Sequence, residues 1–300
     1  MSALSTASRN DPARVTETSS DAGRARARAR TNRRLLVNGL RIGFAVVVLG
    51  LWEIGTTKDL DHPDGLWIDP FFYGRPSGIA TQLWTWIQNG TAQGPLWLQV
   101  GTTLEEAFLG FVIGVGLGVV FGVTLGRVRL LSDVFAPYIK AFNAMPRVVL
   151  GSIFIITIGY NIWSKVALAV VLVFFVVFFN AFQGVREVDR VLIANARILG
   201  ASERQLSTHV IFPSALSWIL ASLHTSFGFA LVGAVVGEYL GAIHGIGLVI
   251  STAQGSFNPS GVFAAMFILA VVALTAEVVL TWLENRLIKW RPNAITDVRI

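Results

Sequence analysis

The chain has 300 residues, of which 53% are hydrophobic and only 14% charged, and its mean hydropathy is +0.62. Soluble domains carry about a quarter charged residues, so this composition argues against a soluble enzyme, a disordered protein or a collagen-like one and points to an all-α integral membrane protein. The net charge is +6, and cysteine is absent, which excludes disulfides, thiolate catalysis and Cys-ligated metal sites.

Residues 1–34 form a basic tail with eight arginines, among them the alternating Arg24, Arg26, Arg28 and Arg30. We read it as a disordered cytoplasmic arm near anionic lipid rather than a nucleic-acid patch. Arg33-Arg34 hints at a twin-arginine signal, but no cleavage site follows the apolar run, so the first span is read as uncleaved. That span covers about 35–54, interrupted near its ends by Arg41 and Glu53. Residues 76–104 are uncharged but rich in Gln, Asn, Thr, Gly and Pro, and are predicted as a segment outside the membrane. Runs free of charge at 107–126 and 166–185 are each long enough to cross about 30 Å of hydrocarbon. A shorter run at 148–164 supplies a third span between them, whose start can lie before Arg147. The fifth begins after Pro213, near Ala215, and the sixth covers 262–283, after the turn cluster Asn258-Pro259-Ser260-Gly261. Six spans place twenty Lys and Arg on one side and only Lys58, Arg75 and Lys165 on the other. This asymmetry predicts a cytoplasmic N-terminus and C-terminus.

Within the spans, Gly110, Gly114, Gly118, Gly122 and Gly126 recur every fourth residue and line one helical face that another backbone can approach closely. The partner is either a helix of the same chain or a second subunit. Span four is rich in phenylalanine, read as packing rather than as an aromatic substrate path. Glu238 and Glu277 are costly in hydrocarbon, and Glu284 follows Glu277 by seven residues on a similar face. Asn180 and Glu238 are the candidate pathway or gate residues. No catalytic, cofactor or metal residues are predicted: no lysine follows a glycine, so the P-loop lysine is missing, the four histidines form no ligand set, and no G-x-S-x-G elbow occurs.

Between spans four and five, residues 187–213 leave the membrane. Val188, Val191, Leu192, Ala196 and Leu199 make an apolar stripe of about three helical turns, with Asp189, Arg190 and Arg197 off it. Gly200 stops that helix. Ser202 caps a second short helix, with Gln205 placed for a capping box, and Pro213 sets the entry to span five. A helix–Gly–helix of this kind is either a lever for a soluble partner or a surface helix resting on lipid.

Asn195-Ala-Arg-Ile-Leu-Gly-Ala201, followed by Val210-Ile-Phe-Pro213, resembles the EAA loop of permease subunits from bacterial ATP-binding-cassette importers. Aligned on Gly200, Ala194 stands where the family has Glu, Asn195 at the first Ala and Ala196 at the second, while Pro213 matches. Further short motifs are similar to the nitrate/sulfonate/taurine-type branch: residues 68–77, Ala144-Met-Pro146, Ile158-Gly159, Ser164-Lys165, Asn180 to Gly184-Val-Arg186 and Gly245-Ile-Gly-Leu248. The resemblance covers 68–292.

It implies a permease domain over 35–292, a coupling loop at 187–213 within it, and a C-terminal tail at 293–300. The ATPase-coupling residues would be Ala194, Asn195, Ala196, Leu199, Gly200, Ala201 and Pro213. Separate ATPase subunits would hold ATP-Mg, this chain binding no cofactor. An extracytoplasmic solute-binding protein would deliver the solute, and a second permease copy would complete a homodimer in the bacterial inner membrane, with lipid around it and no nucleic acid. The solute would be a sulfonate, taurine, nitrate or similar. A secondary transporter or channel independent of an ATPase is the alternative, and a membrane enzyme a third.

Overall fold

The computed structural model describes residues 12–57 and 67–287. The first eleven residues, residues 58–66 with Lys58, Asp59, Asp61 and Asp64, and the predicted C-terminal tail 293–300 lie outside the described residues. The chain divides into two compact units, Met1–Pro70 and Phe71–Ile300. Among the described residues no strand forms; one isolated bridge joins Thr91 and Gly94.

In the first unit, α1 (Pro12–Gly55) is one continuous helix, and its part Leu35–Gly55 is long and apolar enough to cross a membrane. It runs straight through the line drawn between 34 and 35, which rested on charge alone. After Pro12 the sequence offers helix-forming Ala, Arg and Glu and no further proline to break it. At its end the Thr56 amide donates to Trp52 O at 3.0 Å, and the amides of Trp67 and Ile68 both reach Gly55 O, at 3.0 and 3.1 Å. The exposed carbonyls of the last turn are thereby satisfied.

A single turn, α2 (Pro70–Tyr73), begins at the last residue of the first unit, and α3 (Pro76–Asn89) follows in the second. A tight turn at Thr91 and Gly94 then leads into α4 (Leu96–Arg127). The segment predicted as lying outside the membrane is thus helical, and span two begins earlier than 107. Glu105 and Glu106 cut its early turns off from the uncharged run at 107–126, and Gln99 and Thr103 fall in the stretch whose polar composition read as lying outside the membrane. The charged segment after it is helical as well: α5 (Arg129–Ala144) and α6 (Arg147–Ile158) meet at 90°. The bend falls at Met145-Pro146, because Pro lacks the amide a continuing helix needs and holds the residue before it extended; Met145 has φ −67° and ψ 136°. The predicted span at 148–164 thus takes in α6, and the limb that precedes it, α5, lies before Arg147, where the sequence allowed the span to begin.

The core is built on α7 (Ile162–Arg186), which lies between α4 and α10 (Phe212–Leu240). The five glycines of α4 face it. A Cβ at Gly114 or Gly118 would stand 2.7 Å from the Cβ of Val173 or Val177, and one at Gly110 would overlap that of Ala169. Gly122 and Gly126 meet Ala181 and Val185 in the same way. The small-residue face is thus filled by another helix of the same chain. From the other side Gly233 of α10 abuts Ala169. Helices this close gain dispersion contacts along their whole length. A short apolar helix, α11 (Ile246–Gly255), packs with α3 and α12 (Pro259–Leu287) around Trp86, Leu96, Val249 and Ala264. With the bent pair counted as one, six stretches among the described residues are long and apolar enough to cross a membrane.

Candidate functional site

The segment predicted as a lever begins where α7 ends. Asp189 caps α8 (Arg190–Ile198), its carboxylate accepting from the Val191 amide at 2.8 Å. Gly200 then takes φ +83°, a conformation that costs a residue with a Cβ about 1–2 kcal/mol. Its amide donates to Arg197 O and that of Ala201 to Ala196 O, both at 3.0 Å. These two bonds are the Schellman arrangement, which closes the helix and reverses the chain. Ser202 starts α9 (Glu203–Leu206) with a complete capping box: the Gln205 amide donates to Ser202 Oγ, and the Ser202 amide to Gln205 Oε1 at 2.9 Å. Arg197 and Glu203 pair across the turn at 3.0 Å, but both are exposed, so the pair adds little.

From Glu203 the helix runs on to Leu240 without a break, so Pro213 does not open a new helix. A π turn at Ser207–Ile211 lies just before it. The Phe212 amide reaches back five residues to Ser207 O, which widens the coil where the proline ring would otherwise clash with the preceding turn.

One side of this segment is anchored. Val188, Leu206 and Ile211 are buried with Ala181, Val185, Ala215 and Ile219, and Ile193, Ala196 and Val210 pack onto them. Arg127, at the end of α4, donates to Ser207 Oγ. Arg186 lies 4.3 Å over the Phe182 ring and donates to Ser132 Oγ of α5 at 3.0 Å. The other side is bare. Leu192 is 52% exposed, Ile198 83% and Leu199 87%, and Val191, Ala194 and Asn195 are exposed beside them. The predicted apolar stripe is therefore split: Val188 and Ala196 face the helices, whereas Val191, Leu192 and Leu199 face outward. No atom stands within 4 Å of a Cβ built on Gly200.

The remaining sequence candidates lie elsewhere. Asn180 turns its amide onto Val176 O of its own helix at 2.8 Å. His224 of α10 sits between two carboxylates of α12, with Nδ1 2.9 Å from Glu277 Oε1 and Nε2 2.9 Å from Glu284 Oε2. Glu238 is fully buried at the end of the helices remote from α8 and accepts from the Gly247 amide at 2.6 Å.

Around Glu238 lie groups that the sequence did not single out as site candidates. Gln99 Oε1 accepts from the Gly245 amide at 2.7 Å and Thr103 Oγ1 from the Ile246 amide at 2.9 Å. Three successive amides at the start of α11 are thus satisfied from α4 and α10, where a helix has no acceptors of its own. Lys165, counted among the outside charges, is buried in the first turn of α7 and donates to Tyr160 O at 2.7 Å and Asn161 O at 3.1 Å. Glu106 of α4 is buried as well.

Residues 114–289 match the family model described as "Binding-protein-dependent transport system inner membrane component". The chain belongs to this family. A putative aliphatic sulfonates transport permease protein, SsuC of Bacillus subtilis, is 33% identical over 66% of this permease and 72% of the relative. The formylaminopyrimidine transport permease protein ThiX of Halalkalibacterium halodurans is 34% identical over 83% of this permease and 94% of its own length. The taurine transport system permease protein TauC of Escherichia coli is 28% identical over 84% and 89%. Among solved structures, an amino acid ABC transporter superposes with a TM-score of 0.52 at 22% identity, covering 63% of this permease and 92% of that chain. The inward-facing MetNI methionine ABC transporter superposes with a TM-score of 0.51 at 17% identity, covering 69% and 96%. The protein is accordingly a multi-pass inner-membrane permease subunit of an ABC importer.

Proposed function

We propose that this permease works as a homodimer driven by two separate ATPase subunits, each docked on residues 187–213 of one copy. Both termini and the docking segment are cytoplasmic, which fits the twenty basic residues that the spans place on that side. An extracytoplasmic binding protein delivers the solute to the opposite side. The solute is a small organic molecule of the sulfonate, taurine or heterocycle kind, in keeping with the transport named for SsuC, TauC and ThiX. ATP-Mg would be held by the ATPase subunits.

The observation that carries this reading is the two-faced coupling segment. Its inner side is buried with the ends of α7 and α10, and its outer side presents Leu192, Ile198 and Leu199 to solvent. A bare apolar ridge fixed to two spans is suited to seat in a groove of a soluble partner. Because α9, the π turn and α10 are continuous, a push on that ridge moves α10 as a unit. ATP-driven closure of the ATPases thereby biases the spans between inward-open and outward-open states, a differential interaction of two states with one partner.

The test is transport in proteoliposomes that hold the permease, the ATPase and the binding protein. The double variant Ile198→Glu/Leu199→Glu is expected to abolish solute uptake and the stimulation of ATP hydrolysis. The permease alone should unfold at the same temperature as the parent, since both side chains already face solvent. Uptake at the parent rate would refute the docking assignment.

A further inference from the structure

At the end of the helices remote from α8, three ionisable side chains from three helices are buried. Glu106 of α4 is 2% exposed, Lys165 of α7 1% and Glu238 of α10 0%. Two carboxylates and one ammonium sum to a net negative charge, and an uncompensated charge in such surroundings is very costly. The ammonium of Lys165 donates to the carbonyls of Tyr160 and Asn161. Glu238 Oε1 and Glu106 Oε2 are buried and receive no hydrogen bond from any donor among the described residues. Thr103, one helical turn before Glu106 on α4, accepts from the Ile246 amide, and Glu238 accepts from the neighbouring Gly247 amide, so the two carboxyl groups flank the same turn. Two ionised carboxylates are acceptors only and repel; a single proton between them turns that repulsion into a short charge-assisted hydrogen bond.

We propose that Glu106 and Glu238 form a proton-binding site that holds one shared proton, with Glu106 the carboxylic acid and Glu238 the carboxylate. The direction follows from what else each group meets. Glu238 Oε2 accepts the Gly247 amide at 2.6 Å, at the N-terminus of α11, where the helix dipole favours a negative charge. The site then balances to zero: one carboxylate against Lys165. Its effect is mechanical. Glu238 in this state pins the start of α11 beside Gln99 and Thr103, and Gly245 allows it, at φ +123° and with room for no Cβ against the Glu238 carboxyl. Loss of the proton sets two buried charges against each other beside that turn. The other ionisable groups bearing on the pair are Glu105 on α4 and Lys165 on α7, and His244 stands in the turn between α10 and α11. This proposal does not depend on how the ATPase docks.

The experiment is infrared spectroscopy of the purified full-length permease at neutral pH, with and without carboxyl-¹³C glutamate. The wild type should show a protonated carboxyl C=O band that shifts with the label, and Glu106→Gln should lack it. Thermal unfolding is then followed from neutral to alkaline pH. The wild type should lose stability as the shared proton is stripped, whereas Glu106→Gln, with the same charge balance and no proton to lose, should hold a flat profile. Glu238→Gln keeps the same balance and should behave likewise if Glu106→Gln fails to fold. Absence of the labelled acid band in the wild type would overturn the proposal, whatever the variants do. So would an alkaline loss of stability that persists in the glutamine variants, or a wild-type stability that depends on sodium in place of the proton.

Discussion

At the scale of single residues, contact distance separates glycines that look alike in the sequence. Gly118 faces Val177 so closely that a Cβ would overlap it, whereas Gly116, two residues away, has nothing within 4 Å. Gly118→Ala should therefore cost about 1–3 kcal/mol through overpacking, and Gly116→Ala should be neutral or slightly stabilising. Thermal unfolding of the two variants in the same detergent checks both. Lys165 gives a second contrast. Removing the ammonium from a buried charge cluster typically costs about 3–5 kcal/mol, so Lys165→Met should unfold at a clearly lower temperature, while removing the exposed Lys140 should have no effect. The glycine face was legible in the sequence because a period of four survives any error in span limits, though only the structure names α7 as its partner. Glu106 and Lys165 were not legible. Charged residues are the usual markers of span ends, and nothing local distinguishes a lysine at the membrane edge from one folded back onto the carbonyls of Tyr160 and Asn161.

At the scale of elements, the coupling segment shows how far local chemistry reaches. Its stop at Gly200 and its restart at Ser202 with Gln205 follow from helix-end chemistry, and the structure has both. Ser202→Ala should remove about 1 kcal/mol of capping, seen as faster amide exchange in α9 with global stability little changed. Gly200→Ala should strain the reversal by about 1–2 kcal/mol without any clash, since the space around it is open. Its signature would be weaker ATPase stimulation in the assembled transporter together with normal membrane insertion. The continuity of α9 into α10 was not legible, because proline usually marks a boundary and a π turn has no sequence signature. The right-angled pair α5 and α6 was missed for the opposite reason: Arg129, Asp133, Lys140 and Arg147 made an apolar-faced helix read as a cytoplasmic connection.

At the scale of the whole molecule, composition alone fixed the class, and the count of crossings agrees with the structure once the bent pair is taken as one. The early start of α4 escaped because its polar residues, Gln99 and Thr103, are buried to serve the amides of α11. Long-range partners of this kind leave no periodic trace. What remains to be tested directly is that residues 187–213 meet a motor on the cytoplasmic side. The permease contains no cysteine, so each introduced thiol is the sole reporter in this chain. Leu199→Cys, expressed with its ATPase, should be shielded from a membrane-impermeant maleimide in intact cells. In membranes opened to the cytoplasmic side it should cross-link to the ATPase, and ATP should change the yield. Modification of that thiol in intact cells, or no cross-link in the assembled transporter, would contradict the account.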